Sequence, residues 1–422
     1  MKIMKLKYLL ITIFNLALIG CNDDDNSSKT IDKIDIYATH GGNFGRAFML
    51  GRTFSSNTKE SILALGVGSP SYPYVYTSKN GAEVTVRELV KNFQDISEII
   101  VNTADGNTEI DAYLSVIPVT DGGLLSNKAF SQLDTIYVIP EGTSIFEYEK
   151  YRIDNIISFA AKAKENGVKN VKLVLWDSID EQTLLNSDLQ IGRLKSNGVD
   201  YEFINFNAMS SEISDLKTSS GLISTGFYIG SINIEALEAP VFKESETFDA
   251  DKESIVLFGS YTRDEPNVSY VNQVDILKNL ETTIDLSENN LIFKGHPSEI
   301  SVNDWIDDNS SDISYFLSFP YEIWQLIGEG SFNYTYDNLE YNMSLPKQPL
   351  EMYSIMSTTL YGEDANKIKK VLGYNNINSN SELTDEYHSG GIAHYDLYSD
   401  WITLTGNTVT PFEYTYDWIN NK

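Results

Sequence analysis

Short apolar runs alternate with stretches of helical spacing along most of this chain. Residues 34–39 predict a strand, followed by Gly41-Gly42 and a helix. Residues 84–93 suggest a helix and residues 98–102 an extended piece. Residues 135–139 form a short apolar run that ends in Pro140-Glu141-Gly142, which predicts a buried strand running into a turn. Ile153, Ile156, Ile157, Ala160 and Ala161 then recur at helical spacing, and Gly167 stops that helix. A strand over 171–176, a helix over 181–195 and a strand over 201–206 follow.

The pattern fails between residues 240 and 253, where a charged, aperiodic run reads as an interdomain linker. It restarts with a strand over 254–258, the turn Gly259-Ser260, a helix over 270–280 and a strand over 291–293. An extended piece at 313–317, a helix from Tyr321 and a strand-to-helix junction near 353–360 come next. The tail from Asn375 is rich in Asn, Ser, Gly and Tyr, and no internal repeat is present. Strands alternating with helices predict α/β layers on parallel sheets. Two such units, residues 31–245 and 254–375, fit two facing Rossmann-like domains with a central cleft. Residues 376–422 form a tail that is a candidate to pack back on the first domain.

The first twenty residues change this picture only at the N-terminus. Lys2, Lys5 and Lys7 precede the apolar residues 8–19, a pattern that predicts a signal peptide rather than a fold element. It ends in Leu18-Ile19-Gly20-Cys21, which resembles the lipobox of bacterial lipoproteins and makes Cys21 the expected lipidation site. A cleaved secretory peptide with an incidental cysteine is the alternative. Cys21 is the only cysteine, so no intramolecular disulfide forms. Residues 22–30 are polar and acidic and read as a tether. The expected location is therefore extracytoplasmic, anchored by lipid to the outer membrane, in the periplasm or facing outward.

Charge restricts the partners. The chain has 31 Lys+Arg against 60 Asp+Glu, a formal net charge of −29. Such a surface repels nucleic acid, so none is expected as a partner. An anionic substrate must meet a local cationic or backbone-amide site. The 26 Tyr and 19 Phe suit a well-packed globular protein and are also common in sugar-binding clefts.

Four segments could carry chemistry. Lys294-Gly295-His296-Pro297 follows a predicted strand, where open parallel sheets bind ligands. Gly295 allows close approach, Pro297 can start the next helix, and His296 can donate to a phosphate. A structural histidine at a strand end is the plainer reading. Phe319-Pro320-Tyr321-Glu322 opens a predicted helix, where Glu322 as a helix-dipole partner is the plainer reading and acceptance from two ribose hydroxyls the other. Ser357-Thr358-Thr359 offers caps or phosphate ligands at a helix start. Pro140-Glu141-Gly142-Thr143 places a carboxylate at a strand end, as a turn residue or as a general base.

Taken in order, these segments resemble the bacterial GT-B sialyltransferases marked by an acidic D/E-D/E-G motif and by K-G-H-P. Phe293-Lys294-Gly295-His296-Pro297 matches the second motif in full. Val256-Leu257-Phe258-Gly259-Ser260 is similar to the family's strand that opens the nucleotide domain, and Thr358-Thr359-Leu360-Tyr361 falls where the family has Ser-Ser-Leu-Tyr. Ser318-Phe319-Pro320-Tyr321-Glu322 resembles the segment with the ribose-binding glutamate, and Glu141-Gly142-Thr143 the end of the acidic motif. Pro140 replaces the first acid of that motif, and Thr358-Thr359 replaces Ser-Ser. The likeness covers about residues 254–361, is thin over the first domain and is absent after about residue 373.

The resemblance implies a GT-B fold, an inverting and metal-independent transfer, CMP-sialic acid as donor and a galactose-type glycan hydroxyl as acceptor. No resident cofactor is expected, and a monomer is. It implies Glu141 as base, Lys294, His296, Thr358 and Thr359 at the phosphate, Glu322 at the ribose, Gly259 lining the base pocket, and Gly295 and Pro297 as further donor-binding residues. The alternatives are a CMP-Kdo or polysialic acid transferase, and a surface lipoprotein that binds glycans on a decayed transferase scaffold.

Overall fold

A computed structural model describes residues 33–39, 43–55, 58, 60–66, 74–77, 81, 83–89, 93–115, 125–140, 149–177, 181–186, 192–212, 242–259, 266–295, 301–317, 319–336, 339–355, 357, 359–360, 363 and 366–372. In the first half the strands are β1 Lys33–Thr39, β2 Glu60–Gly66, β3 Tyr74–Thr77, β4 Glu83–Leu89, β5 Glu109–Ser115, β6 Thr135–Ile139, β7 Asn170–Trp176 and β8 Asp200–Ile204. Its helices are α1 Asn43–Ser55, α2 Phe93–Thr103, α3 Asn127–Phe130, α4 Glu149–Glu165, α5 Glu181–Asn186, α6 Gly192–Ser196 and α7 Phe206–Glu212. The second half holds β9 Phe242–Lys243, β10 Glu253–Phe258, α8 Pro266–Thr283, β11 Asn289–Lys294, α9 Ser301–Asn309, β12 Ile313–Phe316 and α10 Tyr321–Ile327. The hairpin β13 Gly330–Tyr336 and β14 Leu339–Leu345 follows, then β15 Pro349–Ile355 and β16 Ile368–Leu372.

The strands form an eight-stranded sheet, β3-β4-β2-β1-β5-β6-β7-β8, and a six-stranded one, β16-β15-β10-β11-β12-β9. Only the edge strands β3 and β9 run antiparallel. Both faces of such parallel sheets are covered by helices, so their strands are apolar on both sides. The architecture is the expected α/β class, with two Rossmann-like sheets as in a GT-B fold.

In the first sheet the two faces differ. Ile36, Ala112 and Val138 pack on one. On the other, Tyr37, Tyr113 and Tyr137 occupy register-paired positions and stack with ring centroids 4.4 and 4.3 Å apart. Arg52 of α1 donates to the Tyr113 hydroxyl at 3.2 Å and pairs with Glu202 at 3.4 Å. The same face buries Asp35 and Asp111, with Lys33 2.7 Å from Asp111.

Several sequence expectations are corrected. Of the helix expected over 84–93, residues 84–89 are strand: β4 pairs in parallel with β2, and Val84, Thr85 and Val86 are β-branched residues that favour a pleated surface, while Phe93 opens α2. Residues 98–102 are not extended but lie in α2, where Ile96 and Ile100, one helical turn apart, share its buried face. Of the helix expected over 181–195, the structure describes α5 and α6, and residues 187–191 between them lie outside the described residues. Phe206 opens α7 rather than closing β8, because the Asn205 side chain accepts a hydrogen bond from Ala208 N at 2.8 Å and caps the helix. The described helix after Gly295 is α9, Ser301–Asn309, and Pro297 lies outside the described residues.

The charged run at 240–253 is not a free linker throughout. Phe242 is buried, and β9 adds to the edge of the second sheet through Tyr315↔Lys243 and Phe316↔Phe242. The hairpin β13–β14 had no counterpart in the sequence reading. The tail beyond residue 372 lies outside the described residues, as do the signal-like segment and Cys21.

Candidate functional site

In the second sheet β10 leads rightward to β11 and β12, whereas β15 and β16 lie on its other side. The order reverses at β10, and open α/β sheets bind ligands beyond the C-terminal strand ends at such a switch point. Ser354, Phe258 and Lys294 lie in register across β15, β10 and β11 at that end.

Gly259 follows β10, and its N–H donates to Lys294 O at 2.9 Å, which ties the two strand ends together. A Cβ at Gly259 would stand 2.2 Å from Gln273 Oε1 and 2.9 Å from the Phe293 ring, so packing leaves no room for a side chain. Beyond β15 the chain turns as Ser357 N donates to Ser354 Oγ at 3.0 Å. Thr359 then sits in a single 3₁₀ turn.

Lys294 and Glu322 are 6 and 7% exposed. Lys294 Nζ donates to Gly295 O at 2.6 Å. Burial pushes the Lys294 pKa down to about 8, against the attraction of Glu322. Burial likewise pushes Glu322 up, opposed by its own backbone N–H and by Lys294. Glu322 Oε2 is cut off from solvent and has no hydrogen-bond partner among the described residues. A buried acceptor left unfilled costs about 1–3 kcal/mol. A cation beside an unfilled carboxylate oxygen suits a ligand that brings both an anion and hydroxyl donors.

The helix that carries Glu322 is fixed from several sides. Tyr321 meets Phe258 edge-on, with centroids 4.9 Å apart, and its hydroxyl donates to Glu363 at 2.8 Å. Gln325 Nε2 donates to the same Glu363 oxygen. Trp324 Nε1 donates to Pro346 O at 3.1 Å. The other end of α10 reaches α7, whose Ser210 Oγ lies 3.1 and 3.2 Å from the carbonyl oxygens of Gln325 and Leu326.

Gly259, Lys294, Gly295 and Glu322 are thus brought together at one end of the sheet, with Thr359 in the loop beyond the neighbouring strand. Glu141, His296, Pro297 and Thr358 lie outside the described residues. Pro140, which stands in the place of the motif's first acid, is buried at the end of β6. Sequence reasoning missed Glu363, which is buried 42 residues from Tyr321 and has no local motif around it. It also missed Gln273, which reads as an ordinary helix residue.

No family model and no curated protein matches the chain. Among solved structures, a 2,6-sialyltransferase from a Photobacterium species of the Vibrionaceae, in complex with CMP and lactose, is 12% identical. It matches over 90% of this chain and 78% of its own, with a TM-score of 0.47. The UDP-GlcNAc 2-epimerase of Neisseria meningitidis, bound to UDP-GlcNAc, is 10% identical over 90% of this chain and 94% of its own, with a TM-score of 0.36. A sucrose-phosphate synthase from Thermosynechococcus elongatus is 9% identical over 89% of this chain and 94% of its own, with a TM-score of 0.37. Each is a likeness in layout and assigns no activity to this chain.

Proposed function

We propose that this chain is an inverting, metal-independent glycosyltransferase that moves sialic acid from CMP-sialic acid to a galactose-type hydroxyl of a glycan. The observation that carries this reading is the burial of both Lys294 and Glu322 at the switch point, with Glu322 Oε2 unfilled. The K-G-H-P segment that begins at Lys294 supports it.

In the proposed reaction Glu141 takes the proton of the acceptor hydroxyl as its oxygen bonds to the anomeric carbon. The bond from that carbon to the phosphate oxygen breaks, and its electron pair leaves with CMP. Lys294, His296 and the hydroxyls of Thr358 and Thr359 stabilise the charge that develops on the phosphate. Glu322 accepts from the ribose hydroxyls. A monophosphate leaving group needs less neutralisation than a diphosphate, which is the reason for proposing a route without metal. The proposed location is extracytoplasmic, on a lipid at Cys21, from the lipobox-like Leu18-Ile19-Gly20-Cys21.

His296→Ala tests the reading: it is expected to abolish transfer and leave the unfolding temperature unchanged, and normal transfer by that variant contradicts the mechanism. Glu141→Gln is expected to lose far more in turnover than in CMP affinity; an equal loss removes Glu141 from the base role. Assays with CMP-sialic acid and CMP-Kdo side by side separate the two donors.

One observation favours a second reading, a glycan-binding protein on a decayed scaffold. The buried Pro140 replaces a carboxylic acid in the first-domain motif. Glycan binding without CMP release from either donor would establish that reading.

A further inference from the structure

Gln273 sits two turns into α8 with its side chain 0% exposed. Neither its Nε2 nor its Oε1 has a hydrogen-bond partner among the described residues. Buried side-chain amides in folded proteins are almost always paired. An amide orphaned at both ends therefore calls for a partner that the described residues do not supply.

Its position suggests that partner. The carboxamide abuts Gly259, and Oε1 lies 2.2 Å from where a Cβ would stand. Gly259 is the last described residue before the chain leaves β10 at the switch point. Leu257 and Phe293, a register pair, belong to the apolar cluster with Ile276 and Leu277 of α8. Phe258 and Lys294, the next pair, point to the opposite face, where Tyr321 and Glu322 lie. A ligand laid across the C-terminal ends of β10 and β11 therefore meets Lys294 and Glu322 on one face and Gln273 at the other. The bare Cα of Gly259 separates them. A glutamine has three side-chain torsions, so its carboxamide can swing past that Cα, whereas any Cβ would block it.

We propose that Gln273 is a specificity-determining residue that hydrogen-bonds the edge of a pyrimidine base. The ribose and phosphate of the same nucleotide lie at Glu322 and Lys294. A carboxamide presents a donor beside an acceptor. Cytosine presents an amino donor beside a ring-nitrogen acceptor, so the two edges match in one orientation. This assignment rests on the nucleotide-sugar transferase reading above.

The test is calorimetric titration of CMP and of ribose 5-phosphate into the full chain and its Gln273→Leu and Gln273→Met variants, with thermal unfolding of each. Wild type is expected to bind CMP. Both variants should bind CMP about tenfold more weakly or worse, bind ribose 5-phosphate as wild type does, and unfold at the same or a higher temperature, because an unpaired buried amide has been removed. Unchanged CMP affinity in both variants overturns the assignment and leaves the transferase reading standing. A joint fall in CMP affinity, ribose 5-phosphate affinity and unfolding temperature also overturns it, since Gln273 is then structural. A wild type that binds neither ligand overturns both.

Discussion

At Lys294 burial and a neighbouring carboxylate act in opposite directions, and burial wins. The folded-state pKa falls from 10.5 to about 8. The charged lysine is therefore the disfavoured form in the folded protein: its cost is full below about pH 8, shrinks as pH rises towards 10.5, and vanishes above it. Glu322 carries a raised value, so its own cost appears as pH rises through that value. A ligand anion needs Lys294 charged, and a nucleotide phosphate has lost its second proton near pH 6. CMP affinity is thus expected to fall as pH is raised through about 8 while the unfolding temperature does not fall with it. Calorimetry and thermal unfolding between about pH 7 and 9 check this, and a flat affinity removes Lys294 from the phosphate. The pair itself makes a second prediction. Glu322→Gln removes the carboxylate whose attraction opposes the burial of Lys294 and should lower stability in chemical denaturation near neutral pH. Lys294→Met combined with Glu322→Leu should recover much of that stability and bind no CMP. Lys294 and Glu322 were legible as candidates from sequence, through K-G-H-P and the helix start. Their mutual burial was not, because it comes from the packing of α10 on β10 and β11. Gln273 and Glu363 carried no signal at all, since a buried polar residue and an exposed one look the same in a sequence.

At the scale of elements, α1, α7 and α10 pack together where the two halves meet. Gly51 on α1 makes this possible: a Cβ there would stand 1.9 Å from Met209 Sδ and 3.5 Å from Leu326. Ser210, next to Met209, ties α7 to the end of α10, the helix that presents Glu322. Gly51→Val should destabilise the protein by about 1–3 kcal/mol through overpacking, and Met209→Ala in the same chain should return part of the loss. An unchanged unfolding midpoint in Gly51→Val would show that this junction is loose. Strands flanked by turn residues, such as 135–139, 171–176 and 254–258, were legible because a short apolar run between turns has few other solutions. Residues 84–89 and 98–102 were misread in opposite senses, a strand as a helix and a helix as a strand. In both, the local run was ambiguous, and pairing with β2 or the spacing of Ile96 and Ile100 decided the outcome. β9 was hidden because its two residues sit in a charged run, with Phe242 as their one buried apolar side chain against β12.

Over the whole molecule, a formal net charge of −29 surrounds a site read here as taking an anionic donor. The field of such a surface opposes the approach of CMP-sialic acid, so binding depends on local groups at the switch point. Lys294 is the described cation at that point, held ready beside Glu322 at the C-terminal end of a parallel sheet. The two-sheet α/β layout was readable from the alternation of strands and helices, and the break near residue 250 marked the restart of the second sheet at β10. The most direct test is product analysis after the full chain is incubated with CMP-sialic acid and lactose. The expected result is free CMP and sialylated lactose in equal amounts, with inverted anomeric configuration and without added metal. Intact donor and unmodified lactose, from a folded protein, would contradict the account.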